Sequence, residues 1–287
     1  MKWLDQGTLF TQINLFLSED LGRGDITTQS LIARQIRARG RFIAKETMIV
    51  AGLEAAEAVF STLDSEQQLE AFVSDGDEVE AGKIIARANG FADVLLAGER
   101  VALNLLQRLS GIATLTREFV RAVEGTRARI VDTRKTTPGL RMLEKYSVLI
   151  GGGHNHRFGL DDGILIKDNH IALVGGSSGI ERAINAVREK TGHLHKIEIE
   201  VSDTDGLKIA IESGADIVLL DNFTPQQTLE AVKIREELSH QILLESSGGI
   251  TLENVRQYAE AGVDLISIGA LTHSARAMDI SFKIQAA

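Results

Sequence analysis

The stretch IEIEVSDTDGLKIAIESGADIVLLDN, residues 197–222, decides the predicted fold of this chain. Runs of Ile, Val and Leu stand at its two ends, and a segment with helical spacing of apolar residues lies between them. A strand, a helix and a second strand in that order form a βα repeat. Near-continuous apolar strands are typical of a parallel sheet that helices cover on its faces.

The same alternation continues on both sides of this stretch. Further apolar runs lie at 128–134, 163–169, 241–249 and 264–270, and helical segments separate most of them. The pattern therefore predicts about six βα repeats. Since no GxGxxG motif follows the first strand, we expect a barrel and not an open dinucleotide-binding sheet.

The N-terminal part of the chain has a different pattern. It predicts an amphipathic helix over 4–18, a strand over 36–50, a helix over 52–63 and a strand–turn–strand segment over 69–90. One or two long helices follow over 92–123, with Ser110-Gly111 as the candidate break. The chain has two prolines and no Ser/Gly-rich linker, which argues against a flexible tether between domains.

Composition excludes several classes of protein. The net charge of −9 argues against a nucleic-acid binder, and the lack of cysteine excludes disulfides and thiol nucleophiles. No apolar run approaches the roughly 20 residues of a membrane span, and the first residues do not resemble a signal peptide. These features predict a cytoplasmic protein with no membrane or nucleic-acid partner.

Polar residues end the predicted strands, and in a βα barrel these ends build the active site. The first two runs end in cations, the middle two in the carboxylates Glu200 (with Glu198) and Asp221, and the last two in Ser/Gly sequences. A cationic patch on an acidic chain predicts a site for a small polyanion.

Several chemistries are compatible with these residues. Glu200 and Asp221 are candidate Mg²⁺ ligands, and the Ser/Gly sequences are candidate phosphate loops. His154 and His156 form an HxH pair, but their Gly-rich surroundings and the adjacent Arg157 favour anion binding over zinc. Lys135 or Lys167 could form a Schiff base, which is the main rival mechanism.

The motifs of the whole chain together resemble the quinolinate phosphoribosyltransferase family. They are EDLGRGDIT (19–27), GERVALNLLQRLSGIAT (98–114), DTRKTTPGLR (132–141), GGGHNHRFGL (151–160), IKDNH (166–170), ESSGGI (245–250) and SIGAL (267–271). The resemblance implies an α/β fold in which an N-terminal α/β sandwich domain, 1–112, precedes an incomplete TIM-like α/β barrel, 113–287. We also expect the C-terminal tail to pack back on the first domain.

The resemblance implies the reaction of quinolinate with phosphoribosyl pyrophosphate, which yields nicotinate mononucleotide, pyrophosphate and CO₂ in the presence of Mg²⁺. It implies a homodimer in which Arg100 enters the partner's site, and assembly into a hexamer is left open. Lys135, Glu200 and Asp221 are the expected catalytic residues, with the two carboxylates at the magnesium. The expected substrate-binding residues are Arg100, Thr133, Arg134, Lys135, His156, Arg157, Lys167, Glu200, Asp221, Ser247, Gly248, Gly249, Ile268, Gly269 and Ala270.

Three alternatives remain open on the sequence. The chain could be a paralogous transferase of the same fold, a barrel lyase that uses Lys135 as a Schiff base, or a metabolite-binding protein without activity. Release of CO₂ from quinolinate separates the expected reaction from the last of these, and borohydride trapping separates it from the lyase.

Overall fold

A computed structural model describes residues 4–32, 36–175, 179–239 and 241–287. The helices are α1 (Gln6–Leu21), α2 (Ile26–Leu31), α3 (Leu53–Leu63), α4 (Ala92–Ala122), α5 (Arg141–Ile150), α6 (Asp168–Val174), α7 (Gly179–Lys190), α8 (Thr204–Glu212), α9 (Pro225–Leu238), α10 (Val255–Ala261) and α11 (Ala270–His273). The strands are β1 (Arg37–Ala44), β2 (Met48–Ile49), β3 (Gln68–Ala71), β4 (Glu78–Val79), β5 (Ile84–Phe91), β6 (Arg129–Val131), β7 (Ile164–Ile166), β8 (Ile197–Val201), β9 (Ile217–Asp221), β10 (Leu243–Ser247), β11 (Leu265–Ser267) and β12 (Ile280–Ala286).

These elements form two compact units. The first contains the chain up to Arg117, Thr136–Gly152 and Leu271–Ala287, and the second contains Glu118–Lys135 and Gly153–Ala270. Among the described helices, none has the length and apolarity that crossing a membrane requires.

An antiparallel sheet with the strand order β12-β1-β5-β3 is the centre of the first unit. Burial alternates along β1, as a strand with one covered face requires, and Phe42 points into the core. The C-terminal strand β12 pairs with β1 so that Phe282 lies opposite Phe42, with ring centroids 4.4 Å apart. Gly40 leaves room for this ring, because a Cβ at that position would lie 1.9 Å from Phe282.

Helix α4 runs without a break through Ser110-Gly111, so the segment over 92–123 is one helix and not two. The two small residues serve close packing. Ser110 Oγ accepts a hydrogen bond from the Ala51 amide at 3.1 Å. A Cβ on Gly111 would lie 1.9 Å from the carbonyl oxygen of Arg276, so no larger residue fits there.

The segment over 36–50 is not one strand, because it divides into β1 and β2, which belong to different sheets. After β2 the chain enters α3, whose N-cap residue Gly52 has no capping side chain of its own. Asp75, in the loop between β3 and β4, supplies the cap: its carboxylate accepts hydrogen bonds from the amides of Gly52 at 2.9 Å and Leu53 at 3.1 Å. The Tyr146 hydroxyl donates to the same carboxylate at 2.6 Å.

The second unit is built on a parallel six-stranded sheet with the strand order β6-β11-β10-β9-β8-β7. The edge strands β6 and β7 do not pair with each other in the described chain. Instead, the segment around His154 runs along the free edge of β6: the His154 amide donates to Ile130 O at 2.9 Å, and the Asp132 amide donates to His154 O at 3.1 Å. This incomplete barrel and the antiparallel sheet of the first unit confirm the predicted α/β fold class.

Candidate active site

The sheet of the second unit brings the predicted site residues to one edge. Parallel strands end on the same side, and the cations follow β6 and β7 while the carboxylates lie at the ends of β8 and β9. Ser247 is the last residue of β10, and Ser267 is the last residue of β11. Thr133, Arg134, Lys135, Lys167, Glu200, Asp221, Ser247, Gly248, Gly249, Ile268, Gly269 and Ala270 all lie at this edge.

Asp132 joins the two cationic segments of the site. Its side chain is fully buried, and its Oδ1 accepts a hydrogen bond from the His156 amide at 2.9 Å. The segment that ends β6 and the Gly-rich segment 151–157 are therefore held side by side, although some 20 residues of chain separate them. This contact positions Arg134 and Arg157 at the same end of the sheet.

Arg134 and Arg157 lie near each other, and both are partly buried. Burial and the charge of Arg134 lower the pKa of Arg157, and the charge of Glu198 opposes this effect. The Arg157 Nη1 donates to Gly163 O at 2.8 Å. The buried Nε of Arg134 has no hydrogen-bond partner among the described residues. Two guanidinium groups in this arrangement suit an anion with planar carboxylate or phosphate geometry.

The carboxylates of Glu200 and Asp221 are close enough to repel each other. Burial and then the charge of Asp221 raise the pKa of Glu200, and Lys167 opposes this effect. Asp221 is oriented by Asn222, whose Nδ2 donates to Asp221 Oδ2 at 2.9 Å. A pair of partly buried carboxylates in this state suits a hard divalent cation such as Mg²⁺.

The loop after β10 has a backbone shape that only glycine adopts without strain. Gly248 has φ 95° and Gly249 has φ 61°. A Cβ on Gly248 would lie 2.1 Å from the Oδ1 of Asn222, whereas a Cβ on Gly249 would meet nothing within 4 Å. Asn254 Nδ2 donates to Gly249 O at 3.0 Å and holds the far side of the loop. This loop therefore turns its backbone tightly against the loop that follows β9.

The amide of Ile268 has a partner inside the sheet, since it donates to Val131 O at 3.0 Å. Its side chain is buried as well. Ile268 thus holds β11 to β6 at the strand ends, and its amide is not available to a phosphate in this structure.

Sequence reasoning missed one member of the site, Glu245, and noted Glu198 only as a neighbour of Glu200. The Nε2 of His156 lies 2.9 Å from Glu198 Oε2 and 3.9 Å from Glu245 Oε2. Both carboxyl groups are buried, and burial followed by the charge of Glu198 raises the pKa of Glu245 to about 8. The alternation of IEIEV contained a signal for Glu198, because it puts that residue on the same face of β8 as Glu200.

A cavity of about 430 Å³ lies on the other side of this cluster. Its walls come from the starts of the strands, including Arg129, Ile164, Ile217 and Leu265, and it reaches His156, Glu198 and Glu245. It also reaches Val131 at the end of β6 and Arg157, one of the predicted substrate-binding residues.

Arg100 is an exposed residue of α4 in the first unit. In the described part of the chain, Arg100 forms no ion pair within 4 Å.

The fold and the side chains at the strand ends define the class: an incomplete α/β barrel that carries clustered cations and carboxylates at the carboxyl ends of its strands. Comparison with known proteins gives the family. Residues 25–110 match the N-terminal domain of quinolinate phosphoribosyl transferase and residues 112–283 match its C-terminal domain.

Similar proteins match over nearly the whole chain. The probable carboxylating nicotinate-nucleotide pyrophosphorylase of Bacillus subtilis is 47% identical over 272 residues, which are 95% of this chain and 92% of that protein. The carboxylating nicotinate-nucleotide pyrophosphorylase of Mycobacterium leprae is 42% identical over 93% of this chain and 94% of its own length. The crystal structure of NadC from Streptococcus pyogenes has a TM-score of 0.93, with 36% identity and 99% of both chains covered.

The chain belongs to the quinolinate phosphoribosyltransferase family, and it is a decarboxylating phosphoribosyltransferase of NAD biosynthesis. This confirms the family resemblance and the activity that the sequence predicted.

Proposed function

We propose that the carboxyl ends of the barrel strands bind quinolinate and phosphoribosyl pyrophosphate and catalyse their condensation. The observation that carries this proposal is the pair Arg134 and Arg157. The two like charges are partly buried near each other, and the Nε of Arg134 has no partner among the described residues. Holding two guanidinium groups together in this way is unfavourable, Glu198 offsets part of the repulsion at Arg157, and an anion that enters between the two groups would offset more of it. The two adjacent carboxylates of quinolinate supply that charge and match the planar geometry of arginine.

The remaining cations and the glycine loop suit the second substrate. Lys135 and Lys167 are exposed at the ends of β6 and β7, where they can neutralise pyrophosphate. The loop of Ser247, Gly248 and Gly249 is proposed to receive the 5′-phosphate, together with Gly269 and Ala270 after β11. Thr133 lies beside these groups, and its Oγ1 accepts from the Lys135 amide at 3.0 Å, which holds the backbone of the cationic segment.

Glu200 and Asp221 are the proposed ligands of Mg²⁺. The raised pKa of Glu200 reflects burial and the repulsion from Asp221, and a divalent cation would relieve that repulsion. When bound, Mg²⁺ supplies positive charge to the pyrophosphate oxygens. Glu200 also stabilises the positive charge that develops on the ribose as its bond to pyrophosphate lengthens.

The reaction then needs two steps, transfer of the ribose to the ring nitrogen and loss of CO₂. The ring nitrogen of quinolinate forms a bond to C1 of the ribose, and the bond from C1 to pyrophosphate breaks with its electron pair leaving on the pyrophosphate. The ring nitrogen becomes positive and can accept electron density. The carboxylate on the adjacent carbon then leaves as CO₂, its electron pair stays on that carbon, and a proton replaces it. Arg134 and Arg157 hold the substrate carboxylates in the orientation that this sequence requires.

We also propose a homodimer with shared active sites, as the family resemblance implies. In this dimer Arg100 of each chain enters the site of its partner. Its exposed position without an ion pair in the described chain supports this role. A cytoplasmic location is proposed from the cysteine-free composition. Relatives from rice and tobacco carry names that state chloroplastic and mitochondrial forms.

The test is release of ¹⁴CO₂ from quinolinate labelled in the carboxylate next to the ring nitrogen. We expect release that requires both phosphoribosyl pyrophosphate and Mg²⁺, with one pyrophosphate formed per CO₂. Arg134→Ala should abolish most of it, and Arg256→Ala, an exposed arginine on α10 that pairs with Glu260, is the matched control. Binding of quinolinate without CO₂ release would contradict the proposal.

A further inference from the structure

The ring of His156 has a partner at each of its nitrogens. The Arg157 amide donates to Nδ1 at 2.8 Å. Nε2 lies 2.9 Å from Oε2 of the buried Glu198 side chain. A nitrogen that accepts a hydrogen bond cannot carry a hydrogen, so the geometry requires hydrogen on Nε2 and a lone pair on Nδ1.

Hydrogen bonding by both nitrogens is difficult to reconcile with an imidazole that binds the substrate carboxylate directly. To donate to an anion, His156 would have to give up Glu198 or the Arg157 amide. Either change would leave a buried polar group without its partner, which is unfavourable. Binding to the substrate by His156 was the expectation from the resemblance, so the structure points to a different role.

The surrounding charges are compatible with a neutral ring. The groups that face it are Glu198 from β8, Glu245 from β10 and Asp132 after β6, with Arg134 and Arg157 on the substrate side. Burial, followed by the charge of Glu198, raises the pKa of Glu245 and so favours the uncharged form of this carboxyl group, and the interaction with His156 opposes that shift. Asp132 is occupied by the His156 amide, and the charge of Glu198 acts on Arg157. Arg157 is thus a cationic partner for Glu198, and the imidazole ring need not be protonated to supply one.

We propose that His156 is a positioning residue: as the neutral Nε2–H tautomer it links the Glu198 carboxylate to the amide of Arg157 and so directs the Arg157 guanidinium to the substrate. Glu198 and Glu245 are then further positioning residues of the reaction, acting through His156. Arg157 is held from both directions, since its amide is fixed by the imidazole and its Nη1 by Gly163 O. This inference rests on the proposed binding of quinolinate by Arg157.

The first test reads the tautomer directly. The full-length protein labelled with ¹⁵N-histidine gives two-bond ¹⁵N–¹H correlations for its seven histidines. His156→Gln identifies the signals of His156, and His154→Gln, an exposed neighbour, is the matched control. We expect a neutral ring with hydrogen on Nε2 from pH 6 to 8, both free and with saturating quinolinate. A doubly protonated ring, or hydrogen on Nδ1, would overturn the proposal.

The second test separates positioning from charge. His156→Asn keeps an acceptor for the Arg157 amide and has no charge, whereas His156→Lys carries a positive charge and has no acceptor. If His156 is a positioning residue, the Asn variant should stay within about tenfold of wild type in kcat/KM for quinolinate, and the Lys variant should lose about 100-fold. The reverse order would establish an anion ligand.

Two controls keep the result interpretable. The side chain in Glu198→Gln can still accept a hydrogen bond from Nε2–H, so with a neutral ring we expect KM for quinolinate within about threefold of wild type. The side chain in Glu198→Leu cannot accept this bond, so we expect KM to rise by about 10–100-fold. Thermal unfolding of each variant checks that it is folded, and the spectra of the wild type decide the question if a variant is not. Because those spectra need no turnover, failure of the proposed reaction and failure of this inference can be distinguished. Loss of the Nε2–H signal on addition of Mg²⁺ or Zn²⁺ would show a metal site instead and would also overturn the proposal.

Discussion

At the scale of single residues, the site depends on a few groups whose surroundings determine what they can do. Arg134 and Arg157 are the proposed anion site because the fold brings them near each other and partly buries both. Lys135 lies within the same short segment, but it is exposed, so its charge acts at the open side of the site. These residues therefore differ in function although each is simply a cation in the sequence.

The substrate preference follows from the paired guanidinium groups. Quinolinate carries two carboxylates and nicotinate carries one, so nicotinate leaves part of the cationic site without a partner. We expect kcat/KM for quinolinate to exceed that for nicotinate by about 10⁴ or more. Pyrophosphate formation measures both substrates in the same way. Comparable turnover of nicotinate would show that the site does not recognise the second carboxylate of quinolinate.

Lys135 is expected to act through its charge. Lys135→Ala should lower kcat by about 10²–10³, the usual cost of removing one charged group that stabilises a transition state. Lys135→Arg should retain more activity than Lys135→Ala, because arginine stays protonated. An inactive Lys135→Arg variant together with a borohydride-trapped substrate adduct on Lys135 would favour the Schiff-base lyase instead.

At the scale of elements, the loops after β9 and β10 fit together through unusual backbone angles. Asn222 has φ 57°, uncommon for a residue other than glycine, and its amide donates to Ser247 O at 2.8 Å. Its side chain occupies the space where a Cβ of Gly248 would be. The shape of the proposed phosphate loop thus depends on a residue of the preceding βα repeat.

A pair of glycine substitutions tests this contact. Both Gly248→Ala and Gly249→Ala place alanine at positive φ, which costs about 1–2 kcal/mol in each case. Only Gly248→Ala also collides with Asn222, so it should raise KM for phosphoribosyl pyrophosphate by at least about tenfold more than Gly249→Ala does, a difference of about 1.4 kcal/mol. Equal effects of the two substitutions on that KM would mean that the contact with Asn222 is unimportant for binding.

At the scale of the whole molecule, the chemistry-bearing residues of the second unit lie on one sheet, and Arg100 lies on a helix of the first. A two-fold dimer would make the proposed contact of Arg100 with the partner reciprocal, so each chain would complete the site of the other. Arg100 has no ion pair in the described chain that would give it a structural role of its own.

Mixing two inactive variants tests the shared site. Arg100→Ala and Glu200→Ala should each lose nearly all activity alone. After unfolding and refolding together, half of the dimers are mixed, and each mixed dimer has one site with both defects and one site with neither. Activity should recover to about a quarter of wild type. If heterodimers form, as native mass spectrometry can verify, and no activity returns, Arg100 serves the barrel of its own chain.

The sequence by itself determined the order of the βα repeats and the residues at their carboxyl ends, because strand and helix periods are local and parallel strands end on one side. Its long motifs also determined the family. Only the tertiary structure decided that α4 is continuous, that Asp75 caps α3, and that His156 lies between the Arg157 amide and the buried Glu198 beside Glu245. In the sequence, Glu245 is simply a residue of a predicted strand. Its pKa is raised to about 8 only because the fold buries it and places Glu198 beside it. These features depend on contacts between segments that are far apart in the chain, and a local pattern of residues does not predict such contacts.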